Sequence, residues 1–227
     1  CREASMLHDA REYDAVVATG EQVRVAIERL EHASGDPAKT GPASAPLKFS
    51  AEQRRAALLV VTAPSRYSHI QGDAGSGKTT VVRVIRDTAE AEGYVVRGMA
   101  VTGNAALELE KGGGVNSQTL ARFLLDQRER AKVARRFDAI DQGAHPKAGE
   151  VWIVDESSMV GQAEFGRLVH YAEEAQARVV FVGDRRQLPA VPAGKPWEIV
   201  QAVESAQGRP PAQLIENIRQ RDPAERH

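Results

Sequence analysis

The residues with the most specific chemistry form one run, Gly72-Asp73-Ala74-Gly75-Ser76-Gly77-Lys78-Thr79-Thr80. The run fits G-x-x-x-x-G-K-[ST] in full and lies between a strand-like stretch and a helix-like one, as a phosphate-binding loop requires. Its glycines let the backbone curl so that N–H groups point at a phosphate, and the helix that follows adds the positive end of its dipole. Lys78 reaches the β- and γ-phosphates, and the Thr79 hydroxyl is placed to ligate Mg²⁺. Gly72, Gly75, Ser76, Gly77, Lys78, Thr79 and Thr80 are therefore the nucleotide-contacting candidates. By itself the loop says only that a nucleoside triphosphate binds.

Two further stretches give the triphosphate something to undergo. Val151-Trp152-Ile153-Val154-Asp155-Glu156 is an apolar strand ending in two acids. Behind a phosphate loop, the first acid holds Mg²⁺ and the second takes a proton from the attacking water, so Asp155 is the metal-side candidate and Glu156 the general base. Gly183-Asp184-Arg185-Arg186-Gln187-Leu188-Pro189 follows a second apolar strand. Gln187 in that turn is a candidate sensor of the γ-phosphate.

These groups need a scaffold that delivers strand ends to one place. Residues 66–72 (RYSHIQG), 94–101, 150–156 and 178–184 read as strands, and VVRVIRDTAEAEG, GNAALELEK, 117–137 and QAEFGRLVHYAEEA as helices. Strands alternating with helices predict an α/β fold, a parallel sheet covered by helices on both faces. Ser50 followed by AEQRRAALLVV reads as a capped helix opening this unit. Upstream, residues 1 to 33 are charged and helix-friendly, with Val23, Ile27 and Leu30 on one face. Residues 34 to 46, SGDPAKTGPASAP, have the composition of a flexible linker. The expected organisation is a helical appendage over 1–33, a linker over 34–46 and one ATPase domain over 47–227.

Composition narrows the classes. The chain of 227 residues has 30 Lys and Arg against 31 Asp and Glu, so no global basic field announces nucleic acid. No apolar run reaches the roughly 20 residues of a membrane span. The single cysteine, Cys1, excludes an intrachain disulfide and fits a reducing, cytoplasmic setting. The histidines lack metal-ligand spacing, and none is placed as a partner for a serine or cysteine nucleophile. The chain starts without methionine inside a helix-like pattern and reads as a piece of a longer protein.

Taken in order, the stretches resemble superfamily 1 DNA helicases of the RecD-like branch, most of all the helicase region of conjugative relaxase-helicases of the TraI/TrwC type. FSAEQRRA resembles the family's Q-type motif, GDAGSGKTT motif I, AVTGNAA motif Ia, VNSQTLARFL the helix after it, VDESSMV motif II, GDRRQLPAV motif III and LIENIRQRD motif IV. The resemblance implies a RecA-like P-loop fold and an ATP- and Mg²⁺-dependent translocase moving 5′ to 3′ on single-stranded DNA. It implies that Gln53 reads the adenine edge and that Arg219 reaches the γ-phosphate across a cleft. Thr102, Gly103, Asn104 and, more weakly, Thr119 would touch the DNA backbone, positioning a strand without reading it. The implied partners are single-stranded DNA, a second RecA-like domain of the same parent chain and the conjugation machinery. Motifs of that second domain do not occur here, so the resemblance implies little turnover by this chain alone. The alternatives are a non-hydrolysing RecD-like module that binds single-stranded DNA or a partner, and a superfamily 1 RNA helicase.

Three features have competing readings. Residues 122–136 hold six basic and two acidic side chains, including Arg135 and Arg136. They form either a DNA-contacting face or a solvated helix face with ion pairs. Phe123 reads as core more than as a DNA contact, and Trp197 as packed on the sheet more than as a stacking platform for a base.

Overall fold

A computed structural model describes residues 17–32, 48–137, 149–184, 196–206, 208 and 210–215. Helices α1 (Gly20–His32) and α2 (Ala51–Thr62) precede strand β1 (Tyr67–Gly72). Then come α3 (Lys78–Ala91), β2 (Val95–Ala100), α4 (Gly103–Gly113), β3 (Ser117–Thr119), α5 (Leu120–Phe137) and β4 (Glu150–Asp155). A 3₁₀ turn (Ser157–Met159), α6 (Gln162–Glu174), β5 (Arg178–Gly183), α7 (Pro196–Ala206) and β6 (Ala212–Leu214) complete the order.

The strands form one sheet in the order β3-β2-β4-β5-β1-β6, and every neighbouring pair is parallel. The expected RecA-like α/β architecture is thus present. Its cause is legible in β4 and β5, where successive side chains point to opposite faces and both faces are apolar. Val151, Ile153, Val180 and Val182 enter one core layer, with Val81, Ile85, Ala57 and Val61 of the covering helices. Trp152, Val154, Val179 and Phe181 enter the other, with Phe123, Phe165, Leu168 and Trp197.

Three local findings differ from the sequence expectation. The segment 117–137 does not begin as helix: Ser117–Thr119 pairs with β2, Gly98 opposite Ser117 and Ala100 opposite Thr119. The open edge of β2 offers backbone partners that outweigh helix propensity there. The helix begins at Leu120, where the Thr119 hydroxyl accepts from Arg122 N at 3.3 Å. Secondly, α7 and β6 have no counterpart in the expected elements. Pro196 opens α7 as its first residue, a position where the missing N–H costs nothing. Thirdly, the described part of the segment expected as an appendage is not set apart. Val17, Val23 and Ile27 belong to the same core layer as α2 and α3, and Val17 N and Ala18 N both donate to Val61 O.

Trp197 is packed as expected, 5.1 Å from the His69 ring and edge-on to Phe181. Phe123 is core, edge-on to Trp152 at 4.7 Å. No helix among the described residues is long and apolar enough to cross a membrane.

Candidate nucleotide site

In a parallel sheet all strand C-termini share one edge, which is where open α/β sheets bind ligands. Here that edge gathers the phosphate loop after β1 and the two acids after β4. Gly75 (φ 79°) and Gly77 (φ 82°) take the left-handed conformation that turns the loop into α3. Gly77 is the N-cap of α3 and no side chain caps that end, so the first turn is left to an outside acceptor. The Lys78 ammonium lies over the loop, donating to Gly72 O at 2.7 Å and Asp73 O at 3.1 Å. Ser76 is 2% exposed and its Oγ is buried without a hydrogen-bond partner. Thr79 is exposed at the first turn of α3.

Asp155 ends β4 opposite Ala100 of β2 and accepts from Glu156 N at 2.9 Å through Oδ1. Burial pushes its carboxyl above the ordinary value, against the Glu156 N–H and the Lys78 charge, while Glu108 adds to the rise. Glu156 takes a left-handed conformation (φ 52°) that only glycine adopts freely. Partial burial raises its carboxyl first, then the charges of Asp155 and Glu108, while a hydrogen bond from Thr102 and the Lys78 charge oppose the rise. Its Oε2 is buried without a partner. The turn beyond is anchored by Ser157, which is fully buried and donates to Val182 O at 2.8 Å. Ser157 is therefore a brace between β4 and β5.

The donor set fits a polyphosphate and a hard divalent cation. An uncapped helix end, a cation, an orphaned buried hydroxyl and a raised, partly unsatisfied carboxylate pair face one edge. Among the described residues no group of three or more His, Cys, Asp or Glu could hold a metal unaided. Mg²⁺ does not need one, since it keeps waters and takes substrate phosphate as ligand.

Gly72, Gly75, Ser76, Gly77, Lys78, Thr79 and Thr80 lie together, and Asp155 and Glu156 share their edge of the sheet. Gln53 also reaches the loop, but differently from the adenine-reading expectation. It is 2% exposed, its Nε2 donates to Gly77 O at 3.3 Å and its Oε1 accepts from Ser50 N at 2.9 Å. With Gln53 N donating to Ser50 Oγ at 3.2 Å this is a complete capping box, so one end of the amide closes the helix cap while the other braces the loop. Thr102 caps α4, accepting from Ala105 N at 3.2 Å, and also hydrogen-bonds Glu156. That second bond was invisible in the sequence, because it depends on β2 and β4 being neighbours. Gly103 and Asn104 are exposed beside it, and Thr119 lies at the end of edge strand β3. Gln187, Arg219 and the side chains of Arg135 and Arg136 lie outside the described residues. Within the basic stretch Arg122 pairs with Asp126 at 3.1 Å.

Comparison with known proteins agrees with this geometry. The family model described as AAA domain matches residues 48–227. The conjugal transfer protein TraA of Rhizobium radiobacter is 35% identical over 149 residues, 66% of this chain and 12% of the relative. The multifunctional conjugation protein TraI of Escherichia coli (strain K12) is 31% identical over 163 residues, 70% of this chain and 9% of TraI. The ATP-dependent RecD2 DNA helicase of Deinococcus radiodurans is 34% identical over 168 residues, 74% of this chain and 22% of RecD2. The chain thus spans between 9% and 22% of the length of these relatives. Among solved structures, Pif1 helicase from Candida albicans superposes with a TM-score of 0.52 at 22% identity, over 77% of this chain and 41% of that one, a likeness of fold.

Proposed function

The chain belongs to the AAA domain family, in the superfamily 1 RecD-like helicase group that includes the relaxase-helicases of conjugation, and on that premise we propose that it is the first RecA-like half of an ATP-driven motor on single-stranded DNA. The observation that carries this reading is the meeting of the phosphate loop with Asp155 and Glu156 at one edge of a parallel sheet, with the Lys78 charge acting on both acids.

In this reading the loop from Gly72 to Thr80 cradles the triphosphate, and Lys78 leaves the loop carbonyls for the β- and γ-phosphates. Thr79 and Asp155 would hold Mg²⁺, which when bound would supply charge neutralisation on the phosphates. Glu156, raised toward the range where a carboxylate accepts a proton well, takes one from the attacking water. Gln187 senses the γ-phosphate, and Arg219 adds positive charge there. Thr102, Gly103, Asn104 and Thr119 meet the DNA backbone, and a second RecA-like domain closes the cleft. The direction is 5′ to 3′, the setting is conjugation, and the work is cytoplasmic because ATP is its fuel. The competing reading, a module that binds DNA without hydrolysis, is disfavoured by the intact set Lys78, Thr79, Asp155 and Glu156.

The test is binding of a fluorescent ATP analogue, followed by hydrolysis with and without single-stranded DNA. Lys78→Ala is expected to weaken binding, and Glu156→Gln to leave binding while removing whatever turnover the chain supports. Equal nucleotide binding by wild type and Lys78→Ala would sink the reading.

A further inference from the structure

We infer that Gly112, at the far end of α4 from the proposed DNA contacts, is a positioning residue for the metal ligand Thr79. The inference rests on the Mg²⁺-nucleotide reading above. Its structural basis is the way α4 lies on α3. Arg83 of α3 donates to Gly112 O, and Arg86 donates to Gly113 O at 2.9 Å. Two arginines of the helix that starts in the phosphate loop thus cap the last carbonyls of α4 and fix its distance from α3.

At that distance there is no room for a side chain. A β-carbon on Gly112 would lie 2.6 Å from Thr79 Cγ2. Carbon atoms in contact sit at about 3.5–4.0 Å, so one of the two groups must move. The group in the way is the methyl of a β-branched side chain with few allowed χ1 states. Rotating the methyl clear swings the Thr79 hydroxyl off its direction. Shifting α3 instead moves Lys78 and Thr79 together away from the loop. Either relief degrades the metal side of the site. Gly112 lies within α4 and not in the left-handed region, so helix propensity alone favours alanine there. The contact with Thr79 reverses that preference. The same helix begins at Thr102, which bonds Glu156. One rigid element therefore braces the proposed base at one end and the proposed metal ligand at the other.

The experiment is a double-variant cycle on Gly112→Ala and Thr79→Ser, since serine keeps the hydroxyl and removes the methyl. Binding of a fluorescent ATP analogue is titrated in Mg²⁺ and in EDTA, with thermal melting as the folding control. Gly112→Ala is expected to lose about tenfold or more of its affinity in Mg²⁺, the scale of disturbing a metal ligand's support, and far less in EDTA. On the Thr79→Ser background the same substitution is expected to have no further effect. Gly113→Ala, whose β-carbon would meet Val82 Cγ1 at 3.0 Å, should lower the melting temperature without changing the Mg²⁺ dependence. Undiminished Mg²⁺-dependent binding by Gly112→Ala, or an equal loss on both backgrounds, overturns the inference. If Gly112→Ala alone does not fold, the double variant decides. Binding at the Thr79→Ser level supports the inference, and a double variant that also fails to fold overturns it. A wild type with no Mg²⁺-dependent nucleotide binding would instead remove the functional reading on which the inference rests.

Discussion

Asp155 and Glu156 occupy adjacent positions where burial disfavours both charges, and that cost has a measurable sign. The folded carboxyl of Asp155 lies above its ordinary value of 3.8, chiefly through burial. A raised folded value means the group favours folding fully only below 3.8 and loses that contribution as pH climbs through the folded value. At neutral pH without Mg²⁺ the burial of this carboxyl therefore opposes folding. Asp155→Asn is expected to be more stable than wild type in urea unfolding at pH 7, with about 1.4 kcal/mol corresponding to each pH unit by which the folded value is raised. Its lead should shrink on acidification, and a lead independent of pH would refute the account. The substitution also removes the Asp155 charge that helps raise Glu156. At this scale the sequence was most legible where a motif has one physical reading, as at Lys78 and Thr79. Gln53 had two. Ser50-x-x-Gln53 is both part of a Q-type motif and a capping box, and the amide is engaged by the cap at its oxygen and by Gly77 O at its nitrogen. Thr102 was legible as a polar group before a helix, but its bond to Glu156 required knowing which strands are neighbours.

Among the elements, the long strands were readable because β4 and β5 are apolar on both faces and β-branched along their length. Strands β3 and β6 span three residues each and exist through pairing at the flanks of β2 and β1, which no local pattern announces. Helix α1 illustrates the same limit. The spacing of Val23, Ile27 and Leu30 forecasts a buried face but not what covers it. The cover is the α2–α3 pair, reinforced by an ion pair between Glu31 and Arg54. Ile27 is 3% exposed in that layer. Ile27→Ala is expected to cost about 2–5 kcal/mol in urea unfolding, the range for deleting a buried aliphatic side chain. A loss below ~0.5 kcal/mol would mean that α1 is an appendage after all.

Across the whole molecule, acid acts through a second group with the opposite sign to Asp155. His69 lies inside the sheet's second layer, stacked on Phe181 at 5.1 Å and tilted against Trp197. It is 4% exposed, and its Nε2 is buried without a hydrogen-bond partner. Burial pushes the imidazole down from 6.5 to about 3, so it is neutral in the folded chain. A depressed folded value gives stability that is present above 6.5 and drains away as pH falls toward 3. The unfolded chain takes up a proton there that the folded one refuses, at up to about 1.4 kcal/mol per pH unit. Urea midpoints between pH 7 and 4.5 should therefore fall for wild type and fall less steeply for His69→Phe, whose ring can keep the aromatic stack. The comparison is of slopes, because the substitution also alters packing and shifts every midpoint together. In Asp155→Asn the slope should steepen, since that variant lacks the carboxyl that gains stability on acidification. Opposite changes of slope in the two variants would tie the acid response to one buried imidazole in the core and one buried carboxylate at the site. Parallel slopes in all three chains would assign the acid response to other groups.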